Sequence, residues 1–212
     1  MNKRNYQKEL DKMIAELEAQ KKVPGLFLHS CCAPCSSYVL EYLSEYFRIT
    51  VFYYNPNIHP ENEYGKRVEE QKRLIMELPS KQPITFVEGE FKPECFYETV
   101  RGLEKEPEGG ARCHKCFWLR LSETARMASL YGADYFATTL TISPLKNAQV
   151  INQIGESLSE EYGVKWLPSD FKKKNGFKRS TELSREYGLY RQNYCGCVFS
   201  SGQCKENMVN SV

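Results

Sequence analysis

Short apolar runs alternate with longer amphipathic stretches along this chain, and proline, glycine or asparagine marks most of the transitions. Leu10, Met13, Ile14 and Leu17 recur at helical spacing within the charged segment Met1 to Lys22, which predicts an N-terminal helix. Val23 to His29, with Pro24 and Gly25 at its start, reads as a buried strand, and Pro34 to Tyr46 reads as the helix after it. Arg48 to Tyr54 is a second strand closed by Asn55-Pro56-Asn57, and Glu61 to Glu77 is a charged amphipathic helix entered behind Pro60. Ile84 to Glu88 predicts a third strand, Pro93 to Leu103 and Cys116 to Tyr131 predict helices, and Tyr135 to Leu140 predicts a fourth strand. Asn147 to Tyr162 is a further helix, and Val164 to Leu167 a fifth, short strand. Strands and helices in this alternation predict an α/β fold, a parallel sheet flanked by helices on both faces. We expect one domain over 1–212, with a core over 23–170, a C-terminal extension over 171–200 that completes the site, and a tail over 201–212.

Composition adds three points. A hydrophobic fraction of 41% in 212 residues suffices for one sizeable core. The first 22 residues hold no apolar run able to act as a signal peptide or to span a bilayer, so a cytoplasmic protein is expected. The net charge is only +2, yet Phe171 to Arg191 carries seven Lys/Arg against two Asp/Glu, leaving the remainder of the chain negative. Such a stretch fits either a phosphate-binding patch or a solvated basic face.

Cysteine changes the picture most. Nine cysteines in a chain without a secretory signal are not a disulfide framework, because the cytosol keeps thiols reduced. Seven fall in three groups, Cys31, Cys32 and Cys35, then Cys113 and Cys116, then Cys195 and Cys197; Cys95 reads as a small buried hydrophobe and Cys204 as a bystander. Cys31 and Cys32 follow the first strand directly, and Pro34 suits the first turn of the next helix, whose N-terminal dipole favours thiolates. Cys113 and Cys116 form a C-x-x-C at the start of a helix, and Gly196 permits a tight turn between Cys195 and Cys197. A lone structural zinc takes four ligands, so seven thiols argue for an iron–sulfur cluster with a second metal or redox pair, while zinc and metal-free thiol chemistry stay open. His29, His59 and His114 are read first as structural histidines; His59 is the strongest candidate for chemistry because prolines and asparagines fix its loop.

The motifs His29-Ser30-Cys31-Cys32-Ala33-Pro34-Cys35 and Tyr54-Asn55-Pro56-Asn57-Ile58-His59-Pro60, with Glu63, Tyr64 and Arg67, resemble the N-terminal motifs of the QueH family of epoxyqueuosine reductases. Gly110 through Arg112, Cys113, Cys116, Phe117 and Arg120 to Leu121 is similar to its second block, and Thr138-Thr139-Leu140 with Ser143-Pro144 and Lys146-Asn147 to its third. A fourth runs from Asp170 through Gly176-Phe177 and Arg179-Ser180 to Tyr187-Gly188-Leu189-Tyr190-Arg191-Gln192-Asn193-Tyr194-Cys195-Gly196-Cys197, and the match covers roughly residues 23 to 200.

The resemblance implies a nucleotide-hydrolase-like fold related to the loop-based ATP pyrophosphatases. It further implies a [4Fe–4S] cluster with an adjacent mononuclear iron, and cobalamin-independent reduction of epoxyqueuosine to queuosine at the wobble position of tRNA. On this reading Cys31, Cys113, Cys116 and Cys195 hold the cluster and Cys32, Cys35 and Cys197 serve the second iron, with the order inside each adjacent pair left open; Cys35 stands where some members carry aspartate. His59 and Tyr64 are the candidate proton donors by motif position. Lys172, Lys173, Lys174, Lys178, Arg179, Arg185 and Arg191 are the candidate phosphate contacts of tRNA, with Phe171, Phe177, Tyr187 and Tyr190 as stacking surfaces or core residues. No G-x-G-x-x-G fingerprint is present, so electrons are expected from a separate low-potential protein, ferredoxin- or flavodoxin-like. Two rivals stand beside this reading: an ATP-dependent tRNA-thiolating enzyme, disfavoured because Ser30-Cys31-Cys32-Ala33-Pro34 lacks a glycine-rich phosphate loop, and a zinc-stabilised nucleic-acid-binding module.

Overall fold

The computed structural model describes residues 4–200. Helix α1 (Tyr6–Ala19) leads into strand β1 (Gly25–His29), followed by α2 (Ala33–Leu43), β2 (Arg48–Tyr53), α3 (Glu61–Glu77) and β3 (Ile84–Glu88). A short α4 (Pro93–Thr99) and the long α5 (Ala111–Leu130) precede β4 (Tyr135–Thr138), which passes into a single 3-10 turn over Thr139–Ile142. Then come α6 (Ala148–Tyr162), β5 (Lys165–Trp166) and α7 (Gly176–Glu186). The five strands are all parallel, in the order β3-β2-β1-β4-β5.

The central strands are buried on both faces, which explains their continuous apolar runs. Alternate residues serve opposite layers. Leu26, Leu28, Ile49 and Val51 pack with Leu10, Ile14, Val39, Leu40 and Leu74 under α1, α2 and α3. Phe27, Phe52 and Phe136 pack with Leu121, Ala125, Ile151 and Leu158 under α5 and α6. Gly155 in α6 is required by this layer, because a Cβ there would lie 2.2 Å from the ring of Trp166.

The strand order reverses between β1 and β4, and a crevice opens beyond their carboxyl ends. Cys31 and Cys32 leave β1 into that crevice, with Thr139 facing them from the end of β4. Besides the earlier ends of α2 at Leu43, α4 at Thr99, β4 at Thr138 and β5 at Trp166, two elements differ from the sequence-based expectation. α5 begins at Ala111 instead of Cys116, a turn earlier, so Cys113 and Cys116 both lie inside its first two turns. The basic C-terminal stretch contains the unforeseen α7, which packs on α2. Its buried face is Gly176, Ser180, Leu183 and Ser184, mostly small residues. A side chain at Gly176 would meet the Phe171 carbonyl and the Tyr38 ring.

Candidate metal centre

The turn after β1 is fixed by its own polar groups before any ligand is considered. Ser30 N donates to the Phe52 carbonyl at 2.9 Å, and Asn55 Nδ2 donates to the Ser30 carbonyl at 2.9 Å. The Ser30 hydroxyl donates to Gln71 Oε1 at 2.7 Å and lies 2.6 Å from the Ser36 hydroxyl. Cys32 caps α2, with Pro34 in the first turn, as the sequence suggested. On this frame the Sγ atoms of Cys31, Cys32 and Cys35 all lie within 4.8 Å of one another, with Cys31 and Cys32 at 4.0 Å. The three thiols share one favoured negative charge. Hydrogen bonds from Cys32 and Cys35 hold the Cys31 thiol well below the ordinary range, helped by Lys146 and Arg120, while the bond to Cys31 pushes Cys32 up to about 12 and Cys35 up as well.

The other four cysteines approach from α5 and the C-terminal loop. Cys116 and Cys197 are buried together with Phe96 and Val100. Burial pushes the Cys116 thiol up to about 12, and it raises Cys113, whose sulfur accepts from Gly109 N at 3.2 Å; both also feel Cys195 and Cys197. The loop carrying Cys195 and Cys197 has no regular structure. It is pinned by His59 N donating to the Gly196 carbonyl at 2.9 Å, by Arg67 Nη1 donating to the Cys195 carbonyl at 3.4 Å, and by the Tyr194 hydroxyl donating to the His59 carbonyl at 2.9 Å. Gly196 has φ +114°, and a Cβ there would approach Arg67 Nη1 to 2.9 Å.

Arg120, buried in α5, stands between these groups. Its Nε donates to His29 Nε2 at 3.3 Å, Nη2 donates to Asn55 Oδ1, and Nη1 lies 3.9 Å from Cys116 Sγ. Burial and the nearby guanidinium hold His29 neutral, with a pKa lowered to about 3, and His29 Nδ1 pairs with Thr138 Oγ1 at 2.8 Å. His29 is therefore structural, as its first reading had it. Burial opposes the charge on Lys146, but Cys195, Cys31 and Cys35 hold it protonated, and Arg120 keeps its charge against burial through Cys116, Cys31 and Cys195. Cys31, Cys32, Cys35, Cys195, Arg120 and Lys146 all line a cavity of about 790 Å³.

Thiols close enough to share a ligand, with two cations beside them to offset thiolate charge, suit a soft metal centre held by sulfur. The chain matches the family model described as epoxyqueuosine reductase QueH over residues 26–203.

The chain belongs to the epoxyqueuosine reductase QueH family.

It is 46% identical over 199 residues to the epoxyqueuosine reductase QueH of Streptococcus pyogenes serotype M1, covering 93% of this chain and 78% of that protein. The match to the QueH of Staphylococcus epidermidis is 45% over 201 residues, covering 93% and 84%, and that to the QueH of Thermotoga maritima is 37% over 181 residues, covering 82% and 89%.

Several expected QueH site residues lie elsewhere than the sequence suggested. His59 is exposed, and neither it nor Tyr64 lines the cavity. Tyr64 is buried, stacks on Phe91 with ring centroids 4.0 Å apart, and donates to Glu88 at 3.2 Å, so packing accounts for it; the His59 backbone serves the cysteine loop. Cys197 shares a buried cluster with Cys116. Cys95 is half-buried in α4, and Cys204 lies outside the described residues.

Of the basic residues, Lys172 pairs with Asp170, Lys174 with Asp11 at 2.6 Å, Lys178 with Glu182 at 3.9 Å, and Arg179 with Glu41 at 2.6 Å and Glu186 at 2.8 Å. Lys173 and Arg185 are exposed, and Arg191 reaches the cavity. Phe171 is a core residue, Tyr187 packs against the same core, and Tyr190 is held by Glu63 and Lys66; Phe177 alone of the four aromatics lines the cavity. The sequence reading gave no role to Arg120, Lys146 or Thr139. For Arg120 the signal was available, because it follows Cys116 by four residues and therefore shares its helix face.

Proposed function

We propose that this protein reduces epoxyqueuosine to queuosine at the wobble position of tRNA, without cobalamin, using a [4Fe–4S] cluster and an adjacent mononuclear iron. The observation that carries the reading is the cavity floored by Cys31, Cys32, Cys35 and Cys195 and flanked by Arg120 and Lys146. Epoxide deoxygenation takes two electrons and two protons, yields an alkene and water, and needs a site that combines a reductant with stabilisation of a departing oxygen. When bound, the cluster supplies low-potential electrons and the iron supplies a Lewis acid. Electrons come from a ferredoxin- or flavodoxin-like protein.

The residue roles we assign are these. Cys31, Cys113 and Cys116, with one of Cys195 and Cys197, are assigned to the cluster; Cys32 and Cys35, with the other, are assigned to the iron. Lys146 Nζ, a cation lining the cavity, holds a proton close to the departing oxygen and takes over the role first considered for His59 and Tyr64. Arg120 offsets thiolate charge and orients His29 and Asn55. Lys173, Arg185 and Arg191 contact phosphates of the anticodon arm, and Lys172, Lys174, Lys178 and Arg179 do so to the extent that phosphate displaces their carboxylate partners.

The test is iron, sulfide and zinc content of protein purified without oxygen, followed by nucleoside analysis of epoxyqueuosine-tRNA after incubation with a reductant. About four or five irons and about four sulfides per chain, with conversion to queuosine, are expected. Cys116→Ser should lower sulfide content, and Cys35→Ser should remove iron without removing sulfide. A colourless protein with one zinc and no iron after anaerobic reconstitution would overturn the reading.

A further inference from the structure

The cavity carries exposed apolar groups that the redox chemistry does not use. Lys146 N donates to the Ser143 carbonyl at 3.2 Å and closes a turn with Pro144 and Leu145 at its tip, where Leu145 is left 75% exposed. Small and polar residues ordinarily occupy such tips. Phe177 comes from the first turn of α7. Close packing of Gly176 against Tyr38 and the Phe171 carbonyl fixes the rotation of that helix, so the next residue, Phe177, faces outward and is 39% exposed. The two segments are tied together where Lys172 N donates to the Thr141 carbonyl at 3.3 Å and Phe171 N to Thr141 Oγ1 at 3.5 Å. Leu145, Phe177 and Pro144 line the cavity together with the cations Arg120, Lys146 and Arg191. Glu108 is the one carboxylate among its described lining residues. An exposed leucine alone means little, since Leu130 is 71% exposed and does not line this cavity. What sets Leu145 and Phe177 apart is that exposed apolar groups and cations converge on one concavity. An unpaired nucleotide suits both, because it brings a flat apolar face small enough to enter and an anionic backbone that stays outside.

We propose that Phe177 and Leu145 form an apolar rim that grips the wobble base by its face at the mouth of the cavity, with the 7-substituent of the base extending to the thiol floor. The inference rests on the functional reading above and deepens it by assigning how the substrate base is held. Stacking of a base on an aromatic side chain is a common means of holding single-stranded nucleic acid, and it tolerates any sequence because every base has a π-face. The rim therefore supplies affinity and register, and discrimination in favour of the epoxide-bearing substituent is left to the residues of the floor. Because both side chains are exposed in the free protein, replacing them removes binding while leaving stability within about 0.5 kcal/mol.

The test measures equilibrium binding of the anaerobically purified protein to two anticodon stem–loop RNAs, one with guanine at the wobble position and one with an abasic residue there. The wild type should bind the guanine loop about tenfold more tightly than the abasic one. Phe177→Ala should lose about tenfold on the guanine loop and Leu145→Ala about threefold. Both variants should bind the abasic loop nearly as the wild type does, which closes the cycle that a direct contact requires. Their salt dependence should equal that of the wild type, because no phosphate contact is removed. Leu130→Ala, equally exposed and not lining the cavity, is the control and should bind both loops like the wild type. Iron content and thermal unfolding should be unchanged in all three variants. A wild type indifferent to loss of the base, or Phe177→Ala and Leu145→Ala proteins that keep the wild-type preference, would overturn the assignment. A loss of equal size on both loops would also overturn it and place the rim against the backbone or the flanking bases. If the wild type converts epoxyqueuosine-tRNA while any of those results holds, only the rim assignment falls. If it neither converts that tRNA nor binds either loop, the functional reading falls and the assignment with it.

Discussion

The two cysteine-bearing turns of this protein reach the same cavity by opposite means. The turn after β1 is held redundantly: a strand end, a helix start, and hydrogen bonds through Ser30, Ser36, Asn55 and Gln71 fix the backbone several times over. The Cys195–Cys197 loop has no regular element and depends on residues more than a hundred positions away, His59 and Arg67. Redundant contacts tolerate the loss of one member, whereas a loop pinned by a few contacts does not. The site is therefore unevenly robust. The N-terminal thiols should stay in place after single perturbations, and the C-terminal pair should move.

Arg120 stands outside that contrast because it serves both turns, and its loss should be the largest effect. Arg120→Met removes a buried cation from His29, Asn55 and the neighbourhood of Cys116. It leaves the buried Asn55 Oδ1 without its donor and His29 Nε2 with the Tyr54 carbonyl alone, which predicts a loss of about 2–5 kcal/mol in unfolding free energy, measured by chemical denaturation of the metal-free protein. Arg120→Lys keeps the charge but not the fork that spans His29 and Asn55, so it should recover only part of that loss. Equal stabilities of the wild type and Arg120→Met would remove Arg120 as the link between the two halves.

What the sequence made legible follows the same division. Period and punctuation located every strand of the sheet, and α3 and β3 match their expected limits, because those elements are set by neighbours along the chain. The expectation that Cys31 and Cys32 follow β1 directly also holds. The placement of Cys197 beside Cys116, the packing role of Tyr64 and the burial of Arg67 and Arg120 depend on which residues the fold brings across the crevice, and no local pattern carries that. α7 is a different case: its amphipathic pattern is present along the chain, but it lies within the basic stretch, whose charge is the more conspicuous feature.

Gly196→Ala tests the pinned loop directly and should rank second. The backbone there has φ +114°, and the added methyl would press on Arg67 Nη1 at 2.9 Å and Ile58 Cγ1 at 3.2 Å. Strain of this kind costs about 1–3 kcal/mol. The more telling readout is metal: anaerobically reconstituted Gly196→Ala should hold less iron than the wild type, since both C-terminal thiols move with the loop. Iron content equal to wild type would mean that the loop position matters less than its pinning contacts suggest.

Thr139→Val is the matching perturbation on the redundantly held side, and the comparison requires it to be the smallest of the three. Thr139 is buried at the end of β4, accepts the Cys31 amide at 3.3 Å through its hydroxyl, and sets that hydroxyl 3.5 Å from Cys31 Sγ. Valine keeps the branched shape and removes the acceptor, so one hydrogen bond is lost and the packing is conserved. The expected loss is about 1 kcal/mol, because Ser30, Asn55, Ser36 and Gln71 still hold the turn. Iron content should match the wild type, and release of iron to a chelator should be only modestly faster, since the Cys31 amide and sulfur lose one neighbour and keep their frame. If Thr139→Val instead loses as much iron as Gly196→Ala, the turn after β1 is not redundant, and both halves of the site hang on single contacts.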